Sequence, residues 1–365
     1  MAFLFFGGKR RITKAFFVNS LGNNQTRGIY TFQIDVENGE LIFKRHFSTP
    51  TDPFYSFNFG RFVCITYRNR TGSKDDGGIC SYAATAETLA LVSRVTDQGK
   101  TYVHACTNGD LDTADKLITV DYYNGELSAF RIAKKKLVTK IGGYQFSGKG
   151  TVPVKQALPY PTFVDYLPDQ DKIIVCAMGL DKLCLFDVQD DGTIVYDNVH
   201  SFDVKPGNGP KKVIFNESGN RAYVLNAINS TIDVYQYENL KFELLQTVDT
   251  YPKDDEYDNE PTDLKFNFDQ THLYVTNKGH DSLALFDVEE DGTLTYLDFE
   301  DTSPDPVDVL VYNEEGNEWT VVACQKGGII ESYQYRKEKG GMVVETKFSC
   351  MVNEPVKLTP FVNKF

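Results

Sequence analysis

The sequence lacks the short motifs that mark the common hydrolase and nucleotide-binding classes. It contains no GxSxG nucleophile turn, no phosphate-binding P-loop and no HExxH zinc motif. Its five histidines do not have the spacing of metal ligands. We therefore expect a protein that uses no metal and no other cofactor.

Long apolar runs are also missing from the sequence. No stretch approaches the length of a membrane span. The apolar residues 2–6 are followed by basic residues, whereas a signal peptide begins with them. The seven cysteines include no CxxC pair and are expected to be buried free thiols in a reducing compartment. These features predict a cytoplasmic protein without a membrane partner.

Positive charge is scarce, because 38 basic residues face 51 acidic ones and leave a net charge of −13. Such a balance argues against nucleic acid as a partner. Any cluster of lysines in this chain would therefore be a local reversal of sign that could attract a small anion. Lysines are present in several predicted strands, which makes such a cluster possible.

The sequence does contain a repeated turn-and-strand unit, clearest in NKGHDSLALFDV, LDKLCLFDV and NSTIDVYQY. Seven copies occur at intervals of 47 to 56 residues, and each has an aromatic residue near its end. These aromatic residues are Phe32, Tyr82, Phe130, Phe186, Tyr235, Phe286 and Tyr333. A repeat of this length with several short strands is typical of a β-propeller. The pattern predicts an all-β fold in which residues 1–365 form a single seven-bladed propeller domain.

The first blade is predicted to lack its inner strand, because only residues 14–19, 28–35 and 40–47 read as strands there. The missing strand is expected at the other end of the chain, in residues 355–362 (PVKLTPFV). This C-terminal strand would join the first blade, close the ring and remove an open sheet edge.

The motifs VDYYNGELSAF, GLDK, GNGP, NSTI and NKGHDS occur in this order. In this combination the chain resembles the seven-bladed propeller lactonases, the cycloisomerase-2 type of 6-phosphogluconolactonase, over nearly its whole length. The resemblance implies hydrolysis of a sugar-phosphate lactone in carbohydrate metabolism, without a cofactor. It also implies that the site for this anionic lactone lies on the inner strands.

Several family positions carry different residues in this chain. His104 stands where the family has a histidine, but Tyr160 and Thr162 replace two family histidines in the fourth blade. Lys211 and Lys212 replace an Arg-His pair in the fifth blade. Because alternate residues of a strand face opposite sides, only one of these two lysines is expected to point into the channel.

In the sixth blade Asp263 replaces a family glutamate and Lys265 a histidine, and in the seventh Val307 replaces an arginine. Lactone hydrolysis needs a base that activates water and a donor that stabilises the developing oxyanion. The resemblance therefore suggests Asp263 as the base, with Lys211 or His104 as the donor. Substrate contacts are expected from Lys212, Lys265, Lys278, Thr162 and Tyr160, the lysines anchoring the anionic group.

Two alternatives stay open at this point. The lost family residues favour a propeller without catalysis that binds a small anion or a protein partner, and a cationic channel would also suit a lactonising isomerase of the muconate type. A pocket where Asp263, His104 and a lysine converge would favour an enzyme. A channel filled by Tyr160 and other bulky side chains would favour the binding protein.

Overall fold

Antiparallel four-stranded sheets make up almost all of the structure, a computed structural model. It describes residues 13–49, 51–59, 62–68, 77–85, 87–109, 113–134, 136–168, 172–253, 257–314, 316–336 and 342–361. Residues 2–6, on which the signal-peptide argument rests, and Val362 lie outside these ranges. The described part contains seven sheets and one short 3-10 turn, Met178–Leu180.

Each sheet is one blade, and its four strands follow one another from the channel outwards. The first four blades contain β28 (Pro355–Pro360), β1 (Thr13–Ser20), β2 (Gly28–Asp35), β3 (Leu41–Ser48); β4 (Asp52–Phe59), β5 (Phe62–Arg68), β6 (Gly77–Ala84), β7 (Leu89–Thr96); β8 (Tyr102–Thr107), β9 (Lys116–Asp121), β10 (Glu126–Ala133), β11 (Lys136–Gln145); and β12 (Pro161–Tyr166), β13 (Lys172–Ala177), β14 (Lys182–Val188), β15 (Ile194–Asp203). The last three contain β16 (Pro210–Phe215), β17 (Arg221–Asn226), β18 (Thr231–Glu238), β19 (Lys241–Asp249); β20 (Glu260–Phe266), β21 (His272–Lys278), β22 (Ser282–Val288), β23 (Leu294–Asp301); and β24 (Pro306–Glu314), β25 (Asn317–Cys324), β26 (Ile329–Arg336), β27 (Met342–Met351).

Apolar side chains fill the space between neighbouring blades. The described residues form seven buried clusters, and each cluster combines residues of two adjacent blades. In β21, for example, Leu273 and Val275 pack towards the fifth blade and Tyr274 towards the seventh. Both faces of a middle strand are therefore buried, which explains the nearly continuous apolar runs in the sequence.

The predicted ring closure is confirmed. β28 pairs with β1 in antiparallel register, with Leu358 opposite Val18 and Thr359 opposite Phe17. Leu358 is fully buried in the cluster between the seventh and first blades. The C-terminal strand thus supplies both the inner edge of the first blade and part of its core.

Each of the seven inner strands has a one-residue irregularity near its start, where it skips a partner in the second strand of its blade. The skipped residues are Phe54, Val103, Thr162, Lys211, Thr262, Val307 and Val356. In six of the seven strands a proline precedes the skipped residue, and in β8 Tyr102 takes this place. Proline has no backbone N–H to give to the ladder, so the start of a strand or a bulge is where it is tolerated.

No helix within the described ranges has the length and apolar character needed to cross a membrane. All seven cysteines are free thiols, and all but Cys350 are buried.

Leu358→Ala tests how much the closing strand stabilises the ring. The truncation leaves a cavity where Leu358 is fully buried, so we expect the free energy of unfolding to fall by about 3 kcal/mol in chemical denaturation. Val199→Ala, at a side chain that is 82% exposed, should change it by less than about 0.5 kcal/mol. Equal effects of the two substitutions would contradict the closing role of β28.

Candidate functional site

The inner strands enclose a cavity of about 610 Å³ at one end of the channel. Every skipped residue of the inner strands lines it, and so does the residue that follows each of them. These following residues are Tyr55, His104, Phe163, Lys212, Asp263, Asp308 and Lys357. In a regular strand, consecutive side chains point to opposite faces, so only one residue of each such pair would face the cavity. Because of the bulge, each blade contributes two consecutive side chains to the cavity wall.

One half of the cavity wall is aromatic. Tyr55, His104 and Phe163 follow one another around the second, third and fourth blades, with ring centroids 4.8 and 4.2 Å apart. Tyr122 lies nearer the opening and stacks on Tyr160 at 4.7 Å. This half offers flat faces on which the ring of a substrate can pack.

The other half of the wall carries a row of alternating charges, hereafter the charge row, made of Lys212, Asp263, Lys265, Asp308 and Lys357. Lys212 Nζ lies 2.5 Å from Asp263 Oδ1, and Lys357 Nζ lies 2.8 Å from Asp308 Oδ2. Lys265 stands between the two carboxylates. The row runs from the fifth blade to the closing strand and has one more cation than anions, in a protein that is acidic as a whole.

Two atoms in the middle of the charge row have unused hydrogen-bonding capacity. Lys265 Nζ is 3.6 Å from Asp263 Oδ2 and 3.7 Å from Asp308 Oδ1, both longer than hydrogen bonds. Asp263 Oδ2 is buried and has no hydrogen-bond partner. Buried polar atoms are nearly always paired, so an unpaired acceptor beside an unused donor marks a place for a ligand or water.

The charges of the row shift one another's pKa values. Burial alone would raise the pKa of Asp263, but Lys212 and Lys265 hold it well below its usual value. Burial raises the pKa of Asp308, and the negative charge of Asp263 adds to this effect. Burial lowers the pKa of Lys357. Asp263 is consequently the carboxylate that stays ionised, as a base must.

A second charged group, the mouth cluster, lies at the opening of the cavity and consists of Lys211, Glu260 and Lys278. Lys211 Nζ lies 2.8 Å from Glu260 Oε1. Glu260 begins β20 and is paired in register with Lys278 at the end of β21. The nearby positive charge of Lys211, followed by those of Lys278 and Lys155, lowers the pKa of Glu260 to about 2.

His104 lines the cavity as a neutral imidazole. Burial, reinforced by the positive charges of Lys212 and Lys357, holds its pKa well below the usual value. Its Nδ1 atom is buried without a hydrogen-bond partner. A neutral ring beside two lysines adds no further repulsion between cations, which suits a crowded cationic wall.

The expectation that only one of Lys211 and Lys212 points into the channel is wrong. Both line the cavity, because Lys211 is the skipped residue of β16 and strict alternation is interrupted there. The two lysines nevertheless have different partners. Lys211 belongs to the mouth cluster, whereas Lys212 belongs to the charge row.

Thr162 and Tyr160 are held by other parts of the protein. Thr162 lines the cavity, but its hydroxyl donates to the backbone carbonyl of Lys211 at 2.6 Å and so ties two blades together. Tyr160 is not among the lining residues, and its ring stacks on that of Tyr122, which is one of them. The cavity is therefore not filled by Tyr160, and Asp263, His104 and several lysines do converge on it.

Sequence reasoning missed Lys357 and Tyr55, whereas it counted Asp308 among the candidates for the channel wall without giving it a chemical role. A usable signal existed, because in six inner strands the second residue after the proline lines the cavity. In the closing strand this residue is Lys357, two positions after Pro355. Across the described ranges no group of three or more His, Cys, Asp or Glu side chains could hold a metal ion.

Comparison with known proteins identifies similar chains. The family described as "Lactonase, 7-bladed beta-propeller" matches residues 15–360. The 6-phosphogluconolactonase of Bacillus subtilis (strain 168) is 23% identical over 336 residues, which cover 90% of this chain and 93% of that protein. The match therefore extends over the whole ring of blades.

Solved structures show the same fold. The periplasmic gluconolactonase of Pseudomonas aeruginosa superimposes with a TM-score of 0.84 at 20% identity, covering 96% of this chain and 99% of that one. A protein from Lactobacillus plantarum superimposes with a TM-score of 0.85 at 22% identity, covering 96% and 100%. At these identities the likeness establishes the architecture.

The lowered pKa of His104 predicts a pH dependence of stability. The folded protein keeps the ring neutral where an unfolded chain would protonate it, so stability should fall as the pH drops below about 6.5. Thermal unfolding of the wild type and His104→Phe at about pH 7.5 and pH 5.5 measures this loss. The variant should lose less stability on acidification.

Burial also lowers the pKa of His280, so His280 likewise makes stability fall on acidification. It is present in both the wild type and the variant, so its contribution cancels when their losses of stability are compared. An equal decline in the wild type and the variant would show that His104 is not held neutral in the folded protein.

Proposed function

Because the chain belongs to the lactonase family of seven-bladed β-propellers, we propose that it hydrolyses a sugar-phosphate lactone of the 6-phosphogluconolactone type. The observation that carries this proposal is the pair of unused atoms in the charge row. Asp263 Oδ2 is a buried acceptor without a hydrogen bond, and Lys265 Nζ, its ion-pair partner 3.6 Å away, makes no hydrogen bond either. Lactone hydrolysis needs an acceptor and a donor side by side.

The acceptor suits the attacking water. A water molecule that donates to Asp263 Oδ2 can lose a proton to this carboxylate as its oxygen attacks the carbonyl carbon of the lactone. Lys212 keeps the carboxylate ionised and oriented through its 2.5 Å contact with Oδ1. Collapse of the tetrahedral intermediate breaks the bond to the ring oxygen, which takes the proton and becomes the hydroxyl of the open-chain acid.

The donor suits the carbonyl oxygen. Negative charge develops on this oxygen in the transition state, and Lys265 Nζ can stabilise it without giving up a hydrogen bond of its own. A carboxylate with so low a pKa is a weak base, so electrostatic stabilisation by the row supplies the larger share of the rate enhancement. In this proposal Lys265 stabilises the oxyanion, whereas the sequence suggested Lys211 or His104 for this role.

The aromatic half of the wall suits the sugar ring. Tyr55 and Phe163 both line this half, and the two halves meet where Lys357 of the charge row lies over the Tyr55 ring, with its Nζ 5.4 Å from the centroid. A lactone held between the two halves would have its apolar face on the rings and its carbonyl on the charges. The cavity volume of about 610 Å³ leaves room for a substrate of this size together with water.

Hydrolysis of freshly prepared 6-phosphoglucono-1,5-lactone, measured against its spontaneous rate, tests the proposal. We expect the wild type to accelerate the reaction and Asp263→Asn to lower kcat/KM by about 100-fold, because the base is lost. Lys265→Met should also lower kcat by about 100-fold, because the oxyanion loses its donor.

Asp203→Asn is the matched control, since Asp203 lies on an outer strand with a side chain that is 74% exposed. Its activity should equal that of the wild type. If the protein at high concentration does not hydrolyse the lactone faster than the spontaneous rate, the lactonase proposal is wrong. A propeller that binds a small anion without catalysis would then be favoured. Unchanged activity of Asp263→Asn would remove the role given to Asp263.

A further inference from the structure

The mouth cluster and the charge row differ in how firmly their carboxylates are held. The side chains of Asp263 and Asp308 are only 7% and 4% exposed, and each contacts two lysines of the row. The Glu260 side chain is 43% exposed, and it pairs with Lys211 at the opening of the cavity. The row is therefore a fixed part of the wall, whereas the carboxylate of Glu260 can move into solvent.

Releasing Glu260 from the mouth cluster does not leave its carboxylate buried and uncompensated. The side chain already reaches solvent, so water can replace Lys211 when the pair separates. The ammonium group of Lys278 makes no hydrogen bond or ion pair within the described part of the chain, although its positive charge acts on Glu260. The cluster thus has two ammonium groups for one carboxylate, and one of the two is unpaired.

We propose that Lys211 and Lys278 form a phosphate site at the cavity mouth, that Glu260 occupies this site in the free protein, and that the phosphate of the ligand displaces it. A phosphate monoester carries about two negative charges near neutral pH and can therefore neutralise both lysines, which a single carboxylate cannot do. Glu260 then acts as a built-in competitor. It keeps the site closed to weakly charged ligands and lets dianions enter.

The proposal fixes the orientation of the substrate and in this respect rests on the proposed lactonase function. Asp263 lies three residues beyond Glu260 on β20, but Thr262 is skipped, so the two residues are paired with Lys278 and Thr276 of β21. Their separation along the sheet is therefore that of two strand residues, about 7 Å. A six-carbon lactone with a terminal phosphate can therefore place the phosphate in the mouth cluster and the carbonyl on the charge row. The buried carboxylates of the row would repel a phosphate, which strengthens this assignment.

Binding of the open-chain products tests the site without relying on catalysis. Calorimetric titrations compare 6-phosphogluconate with gluconate, which lacks only the phosphate, on the wild type, Glu260→Gln and Lys278→Met. We expect Glu260→Gln to bind 6-phosphogluconate about 5-fold more tightly, since a competing ion pair of up to about 1 kcal/mol is removed. Lys278→Met should bind it about 10-fold more weakly, and the affinity for gluconate should change less than about 2-fold in both.

Two exposed residues of the outer strand β19 supply matched controls. Glu243→Gln and Lys241→Met make the same chemical changes far from the cavity and should leave both affinities unchanged. Thermal unfolding of each variant checks that the fold is intact. The gain in affinity for 6-phosphogluconate in Glu260→Gln should become smaller as the salt concentration is raised, because the competition between Glu260 and the phosphate is electrostatic.

Weaker or unchanged phosphate binding in Glu260→Gln would overturn the proposal, and so would equal losses for both ligands in Lys278→Met. The outcome is separable from that of the lactonase assay. If the binding pattern holds but no lactone is hydrolysed, the phosphate site stands and the catalytic proposal fails. If the lactone is hydrolysed but the variants change neither binding nor KM, the phosphate site fails and the lactonase stands.

Discussion

The pairing of β28 with β1 is the contact on which the rest of the structure depends. A propeller blade buries both faces against its neighbours, so an open ring would expose two apolar faces and an unpaired inner edge. The closing strand removes the inner edge through backbone hydrogen bonds and completes the seventh apolar interface through Leu358. The same strand brings Lys357 into the cavity, so closure completes the site as well as the core.

The irregularity near the start of each inner strand connects this architecture with chemistry. It allows two consecutive residues per blade to face the channel, and seven blades then supply two layers of side chains. Blades two to four contribute aromatic rings, whereas blades five to seven and the closing strand contribute charges. A symmetric scaffold thereby produces an asymmetric cavity, with one wall for the ring of a ligand and another for its polar groups.

The charges in the cavity differ in function because they differ in burial. The carboxylates of the charge row are buried, and they keep the three lysines from repelling one another. Asp263 Oδ2 and Lys265 Nζ, which form an ion pair but make no hydrogen bond, lie in the middle of the row, where chemistry on a carbonyl is possible. The mouth cluster is partly exposed, so the contact between Lys211 and Glu260 can be exchanged for contacts with a ligand. Recognition of an anion and attack on a lactone are thus assigned to separate places.

Much of the fold could be read from the sequence, because a repeated pattern of strands and turns reports local periodicity seven times over. The closing strand was predictable for the same reason, since residues 355–362 resemble the other inner strands. Candidate residues such as Asp263, Lys212 and Lys265 came from the resemblance to the lactonase family, which implied a site on the inner strands. Their pairing was not predictable, because Lys212 and Asp263 are 51 residues apart and meet only when adjacent blades pack.

What the sequence by itself determined was the blade pattern and the ring, both of which follow from short-range alternation and repetition. Only the tertiary structure decided which lysine meets which carboxylate. Local alternation predicted that one of Lys211 and Lys212 would turn away, yet the bulge in β16 keeps both in the cavity and gives them different partners. Distances of a few ångströms between blades, which no local pattern encodes, separate the buried charge row from the exchangeable mouth cluster.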